Sequence, residues 1–259
     1  LAVAEIAPRH RRFAALLRHH AALPDRAADP SAAVRRLAGE HPAHAAEIDL
    51  VARAGAALPE ILAGRQDPLD LLFSRNGPEG AYAESPLART VNATVAAVVA
   101  GLRPRRVLEI GAGTGATTAA VLPALPPDAD YLFTDVGMAF LWAAETRFGA
   151  RAGFRTGLLD IGRHPDQQGL AGERFDLIIA ANVLHVAPSL RAAVAHAAAL
   201  LAPGGRLVLV EGTAPLARLD IAFGGTEGWW AFADTDLRPG HPLLGTDGWR
   251  ALLHEAGLE

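Results

Sequence analysis

Residues 107–118 read VLEIGAGTGATT. Val107, Leu108 and Ile110 form a short apolar run around Glu109, glycine recurs at 111, 113 and 115, and a Thr-rich helix start follows. Glycine adopts positive φ without steric cost, so this stretch turns sharply and lets a ligand approach the backbone. It reads as strand, turn, helix, the opening of an α/β unit. By itself the turn names no ligand. Gly111-x-Gly113-x-x-Ala116 also fits the loose dinucleotide fingerprint, with Asp135 about 20 residues further on. A turn that binds nothing is the bland alternative.

Downstream, short β runs alternate with helical patterns. DYLFTD, FRTGLLD, FDLIIAA and GRLVLVE read as strands. FDLIIAA is nearly continuous in apolar character, as a strand covered on both faces must be. AFLWAAETRF, LRAAVAHAAALLA and DGWRALLHEAG read as the intervening and following helices. Such alternation predicts a parallel sheet with helices on both faces. Upstream, residues 1–73 read as helices, and the break FSRNGPEG separates them from SPLARTVNATVAAVVAGL. There Ser85 is placed to cap a helix that has Pro86 at its first position.

Composition narrows the function classes. The chain has 259 residues, 51% of them hydrophobic, and a formal net charge of -4. That permits a sizeable core and disfavours disorder. No basic block points to nucleic acid or to a membrane surface. Cysteine is absent, which excludes disulfides, thiolate metal sites and a cysteine nucleophile, and fits a reducing, cytoplasmic setting. All 24 basic residues are Arg, which reads as genome composition. There is no apolar run long enough to span a membrane and no signal peptide. The chain begins at Leu, as a piece of something larger would.

Ligands of open α/β sheets bind beyond the carboxyl ends of the strands. Here several strands carry a polar group at that end. Asp135 ends the second, where a carboxylate can accept both hydroxyls of a ribose. Asp160 ends the third, where it can accept from an adenine amino group. Asn182 and His185 follow the fourth, and Glu211 ends the fifth. One such carboxylate is often a helix cap; several in register argue for a nucleoside.

VLEIGAGTG, FTD, LLDI, FDLIIAANVLH and LLAPGGRLVLVEGT resemble the class I S-adenosylmethionine-dependent methyltransferases. SPLARTVN, NVLHV and FGGTEGWWAF are similar to the methyltransferase domains of modular polyketide synthases. The resemblance covers roughly residues 45–258. It implies a Rossmann-like core with a mostly parallel twisted sheet over 81–259 and an N-terminal helical lid over 1–80. It implies that Glu109 and the turn through Gly111, Gly113 and Gly115 hold the methionine end of S-adenosylmethionine. Asp135 takes the ribose, Asp160 and Ile161 the adenine, and Asn182 completes the cofactor site. It assigns His185 and Glu211 as a catalytic dyad. The acceptor is then a polyketide chain on an acyl carrier protein, beside neighbouring synthase domains. Family sheets finish with a hairpin after the last helix, and this chain stops where that hairpin starts.

A carboxylate beside an imidazole fixes its tautomer and stabilises the imidazolium, so His185 can serve as a general base. The bland reading is a histidine satisfied by backbone and a glutamate at a helix N-terminus. Trp229 and Trp230 read either as core aromatics or as a wall for an acyl chain, with Tyr82 a weaker candidate. The other nine histidines read as surface residues, and no spacing suggests a metal. The expected acceptor is a β-hydroxyl oxygen, because carbon-methylating relatives carry a larger lid. The alternatives are the α-carbon of a β-ketoacyl chain, a nicotinamide-dependent reductase, and a silent scaffold domain.

Overall fold

A computed structural model describes residues 5–21, 29–72 and 85–259. Its centre is a five-stranded, all-parallel sheet: β1 (Arg106–Ile110), β2 (Asp130–Asp135), β3 (Phe154–Leu158), β4 (Phe175–Ala181) and β5 (Leu201–Val210). The strand order is 3-2-1-4-5, so the chain reverses direction across the sheet between β1 and β4. In doubly wound sheets the crevice for a ligand opens at that reversal. β4 is covered on both faces, as its apolar run requires. Leu177 and Ile179 join one cluster with Val107, Tyr131, Phe133 and Leu141, while Ile178 and Ala180 join the other with Leu108, Ile110, Leu190 and Trp249. Each fully buried Ile or Leu contributes about 1.5–3 kcal/mol.

β5 begins earlier than its sequence pattern suggests. Leu201 pairs with Phe175 and Arg206 with Leu177, so Ala202–Gly205 bulge out between two ladder positions, with Gly204 at φ 77°. The Pro-Gly-Gly segment is therefore a bulge within the strand rather than a turn before it.

Among the described residues the chain opens with α1 (Arg11–Ala21), α2 (Pro30–Glu40), α3 (Ala45–Leu62) and α4 (Pro68–Leu72). The next, α5 (Pro86–Leu102), is capped as expected, its Ala88 N–H donating to Ser85 Oγ at 3.2 Å. α6 (Ala116–Val121) follows the glycine turn, and α7 (Met138–Phe148) follows β2. α8 (Leu190–Ala199) precedes β5, and α9 (Ala217–Phe223) and α10 (Thr246–Glu255) come after it.

The chain divides into two compact units. One comprises residues 1–89 with 215–230; the other comprises 90–214 with 231–259. In the first, α9 returns onto the N-terminal helices. Phe13 is fully buried, and a Cβ on Gly224 would meet its ring at 2.4 Å, so the close approach requires glycine. Residues 215–230 thus belong with the helical unit, although they lie inside the segment that the sequence assigns to the core. His10 is a correction to the surface reading of the lone histidines: it is 2% exposed, and its burial lowers its pKa.

Candidate functional site

The strand tips of the second unit carry the candidate residues. The glycine turn forms as read, with Gly111, Gly113 and Gly115 at φ 61°, 53° and 73°. At Gly111 a Cβ would lie 2.1 Å from Val183 Cγ2, so a side chain there collides with the loop beyond β4. The turn is tied to β2 through Asp135. The Gly113 N–H donates to its Oδ2 at 3.0 Å and the Gly137 N–H to its Oδ1 at 2.8 Å. Each carboxylate oxygen still has a lone pair for a further donor.

Glu109 is enclosed below the protein surface. Its carboxylate is 1% exposed and accepts the hydroxyls of Thr118 and Tyr131. Burial raises its pKa to about 7 against the pull of those two hydroxyls. Thr118 and Tyr131 carry no motif, and sequence reasoning missed both. Asn92 of α5 also escaped it. The Thr117 hydroxyl donates to Asn92 Oδ1 at 3.0 Å, joining the SPLARTVN segment to the helix after the turn.

Asp160 is half-buried, with Oδ1 accepting the Gly162 N–H at 2.9 Å. Its backbone is clasped by Gln168, whose amide accepts the Asp160 N–H at 2.8 Å and donates to the Asp160 carbonyl at 2.9 Å. Ile161 is buried, and its carbonyl lies 2.8 Å from His196 Nδ1. Beside Asp135 lie two uncovered apolar side chains: Val136, 69% exposed, and Leu158, 51% exposed and paired in register with Asp135. Carboxylate acceptors flanked by exposed apolar surface and a glycine-rich turn match a nucleoside: acceptors for hydroxyls and an amino group, and an apolar flank for the base.

Past β4 the backbone turns through Asn182, an exposed residue in the left-handed region at φ 53°, whose N–H donates to the Val210 carbonyl at 2.7 Å. His185 sits in a short 3-10 turn, Leu184–Val186, and is 8% exposed. Its Nδ1 lies 2.7 Å from Glu211 Oε2. The other oxygen of Glu211 accepts the N–H groups of Val183, Leu184 and His185 at 3.0, 2.7 and 3.4 Å. With Nδ1 donating to that carboxylate, Nε2 is the ring nitrogen left to accept.

Trp229 and Trp230 belong to the first unit. Trp229 is buried, its indole N–H 3.3 Å from Asp220 Oδ1 and its ring stacked 5.9 Å from Phe223. Trp230 is half-buried, donates to the Gly224 carbonyl at 2.7 Å and has the Arg12 guanidinium 5.7 Å above its ring. Tyr82 lies outside the described residues. Among the described residues no group of His, Asp and Glu converges as a metal site, and no helix is long and apolar enough to cross a membrane.

Residues 108–207 match the model of a methyltransferase domain. Polyketide synthase ThaG of Burkholderia thailandensis is 38% identical over 216 residues, covering 77% of this chain and 4% of that protein. The chain therefore spans a small fraction of the length of this curated relative. Among solved structures, the CurJ carbon methyltransferase superposes with a TM-score of 0.90 at 35% identity, covering 98% of this chain and 74% of that one. The CMeT domain of the citrinin polyketide synthase superposes at 0.87 with 27% identity, covering 97% and 73%.

Proposed function

This chain belongs to the S-adenosylmethionine-dependent methyltransferase domains of polyketide synthases, and we propose that within this family it methylates carbon. The acceptor is the α-carbon of a β-ketoacyl chain held as a thioester on an acyl carrier protein. The observation that carries this reading is the likeness, over nearly the whole chain, to the crystallised CurJ carbon methyltransferase, with the citrinin synthase CMeT domain superposing over a similar extent. It replaces the expectation of an oxygen acceptor. That expectation rested on the size of the helical segment, and the likeness to the CurJ domain extends over 98% of this chain, helices included. Physical chemistry points the same way. A carbon between a ketone and a thioester is far more acidic than an alcohol, so a base of imidazole strength can deprotonate it.

In this reading the glycine turn and Asp135 receive the ribose and methionine portions of the cofactor, with Glu109 supporting the turn through Thr118. Asp160 and Ile161 receive the adenine, and Asn182 borders the site. The cofactor supplies a methyl group on a positively charged sulfur. His185 would remove the α-proton through Nε2, and the electron pair left on carbon would take the methyl carbon as its bond to sulfur breaks, leaving neutral S-adenosylhomocysteine. Glu211 stabilises the imidazolium and holds its tautomer. Trp229 and Trp230 are the proposed acyl-wall pair, Trp230 being the more accessible.

The test is direct. The domain is incubated with S-adenosylmethionine and either β-ketoacyl or β-hydroxyacyl carrier-protein thioester, and the products are weighed by mass spectrometry. The keto substrate gains one methyl group and loses one exchangeable α-proton. Methylation confined to the hydroxy substrate overturns the carbon assignment.

A further inference from the structure

The segment after residue 231 carries a buried charge that the proposed mechanism does not use. Arg238 is 1% exposed and is the bulkiest of the fully enclosed side chains. Burying a guanidinium costs several kcal/mol unless every donor is met. Here all five N–H groups have acceptors. Nε donates to Asp234 Oδ1 at 2.6 Å. Nη1 donates to the His185 carbonyl at 2.6 Å and the Pro242 carbonyl at 3.4 Å. Nη2 donates to the Ala187 carbonyl at 2.9 Å and the Pro188 carbonyl at 3.4 Å. The Phe232 ring lies 5.1 Å from the guanidinium carbon. Asp234, the counter-charge, spends its other oxygen on the Leu190 N–H at 2.7 Å, and the Ala233 N–H reaches the Pro188 carbonyl at 2.8 Å.

This arrangement grips one stretch of backbone from behind. Residues 182–189 belong to no strand or α-helix, so no ladder fixes where His185 sits. Glu211 holds the stretch by its N–H groups and by the ring. Arg238 holds it by its carbonyls, including that of His185 itself. A neutral side chain could fill the space, but it could not satisfy carbonyls from three residues at once.

We propose that Arg238, braced by Asp234, is a positioning residue for methyl transfer: by gripping the carbonyls of His185, Ala187 and Pro188 it sets the imidazole where Glu211 can hold Nδ1 and Nε2 can take the acceptor's proton. The inference rests on His185 acting as the base. Misplacing a reacting group by about 1 Å costs on the order of 10²-fold in rate.

The experiment compares Arg238→Gln, Asp234→Asn, His185→Ala and the double variant His185→Ala/Arg238→Gln, using S-adenosylmethionine and a β-ketoacyl carrier-protein thioester. Arg238→Gln is expected to lower kcat by ~10–100-fold. Its affinity for S-adenosylhomocysteine should stay within about twofold, since the group touches none of the proposed cofactor residues. In protein with ¹⁵N-labelled histidine, the low-field proton on His185 Nδ1 should shift or vanish. Asp234→Asn gives the same pattern more weakly and stands in if Arg238→Gln does not fold. The double variant should be no slower than His185→Ala, because residues that act as one unit are not additive. A further loss in the double variant, or an unmoved Nδ1 proton in Arg238→Gln, overturns the proposal. Should His185→Ala keep full activity, the base assignment falls, and the Nδ1 proton alone then decides whether Arg238 positions the ring.

Discussion

Two carboxylates on opposite sides of the central β1–β4 pair, Asp135 at the end of β2 and Glu211 just after β5, begin with the same task and end with different ones. Each gathers backbone N–H groups from a turn. Asp135 commits one oxygen to Gly113 and the other to Gly137, so both stabilise the loop over which a nucleoside would lie. Glu211 concentrates three N–H groups on a single oxygen and keeps the second for an imidazole. The difference is one of division of labour: a carboxylate shared between two backbone donors builds a binding surface, whereas one that satisfies the backbone with a single atom has another left for proton chemistry. The bland reading of Glu211 describes one oxygen, and the proposed catalytic reading concerns the other.

That contrast predicts separable failures. The largest is on the Glu211 side. His185→Ala or Glu211→Gln should lower turnover by ~10²-fold or more, the usual worth of a general base, while isothermal titration shows S-adenosylhomocysteine binding within about twofold of wild type. Equal activity in both variants would erase the distinction between the two sides. Next comes Asp135→Asn, which removes an ionised acceptor worth about 1.5–3 kcal/mol. Cofactor affinity should drop by ~10–100-fold, with turnover at saturating cofactor changing little; a loss confined to turnover would instead assign Asp135 to the chemistry.

The smallest effect belongs to Glu109, which serves neither side directly. Its folded-state pKa, raised by burial to about 7, exceeds that of the unfolded chain. The folded state therefore holds the proton more tightly. The corresponding stability is fully present below about pH 4.5 and is lost as pH rises through about 7. Melting curves between pH 5 and 8 should show this loss in wild type, on the order of 2 kcal/mol, and Glu109→Gln should lack it. An identical slope in both proteins would mean that the Glu109 carboxyl titrates elsewhere.

Much of the sheet could be read directly. The apolar runs mark the inner strands because a strand buried on both faces tolerates few other residues, and the glycine spacing marks the turn because positive φ is costly for most others. The meeting of His185 with Glu211 followed from placing both just past neighbouring strands. Other features were hidden by the usual meaning of their residue types. In DTDLRPGH, Arg238 looks like a surface charge, since Arg is rarely enclosed without partners. Its acceptors are mostly backbone carbonyls, which leave no trace in sequence. Glu109 was legible for its place in the motif, whereas the two hydroxyls that its carboxylate accepts have no pattern of their own. The return of 215–230 to the helical unit depends on Gly224 fitting against Phe13, a complementarity between positions about 200 residues apart.

What the amino-acid order determined alone is therefore what depends on local preference: strand and helix periodicity, the glycine turn, and the polar residues at the carboxyl ends of strands. Tertiary structure decided which oxygen of each carboxylate faces what, which buried charge braces the His185 loop, and which unit owns each segment. Those outcomes depend on burial and on partners distant in the chain, and desolvation gives a polar group its role only once its surroundings have closed around it.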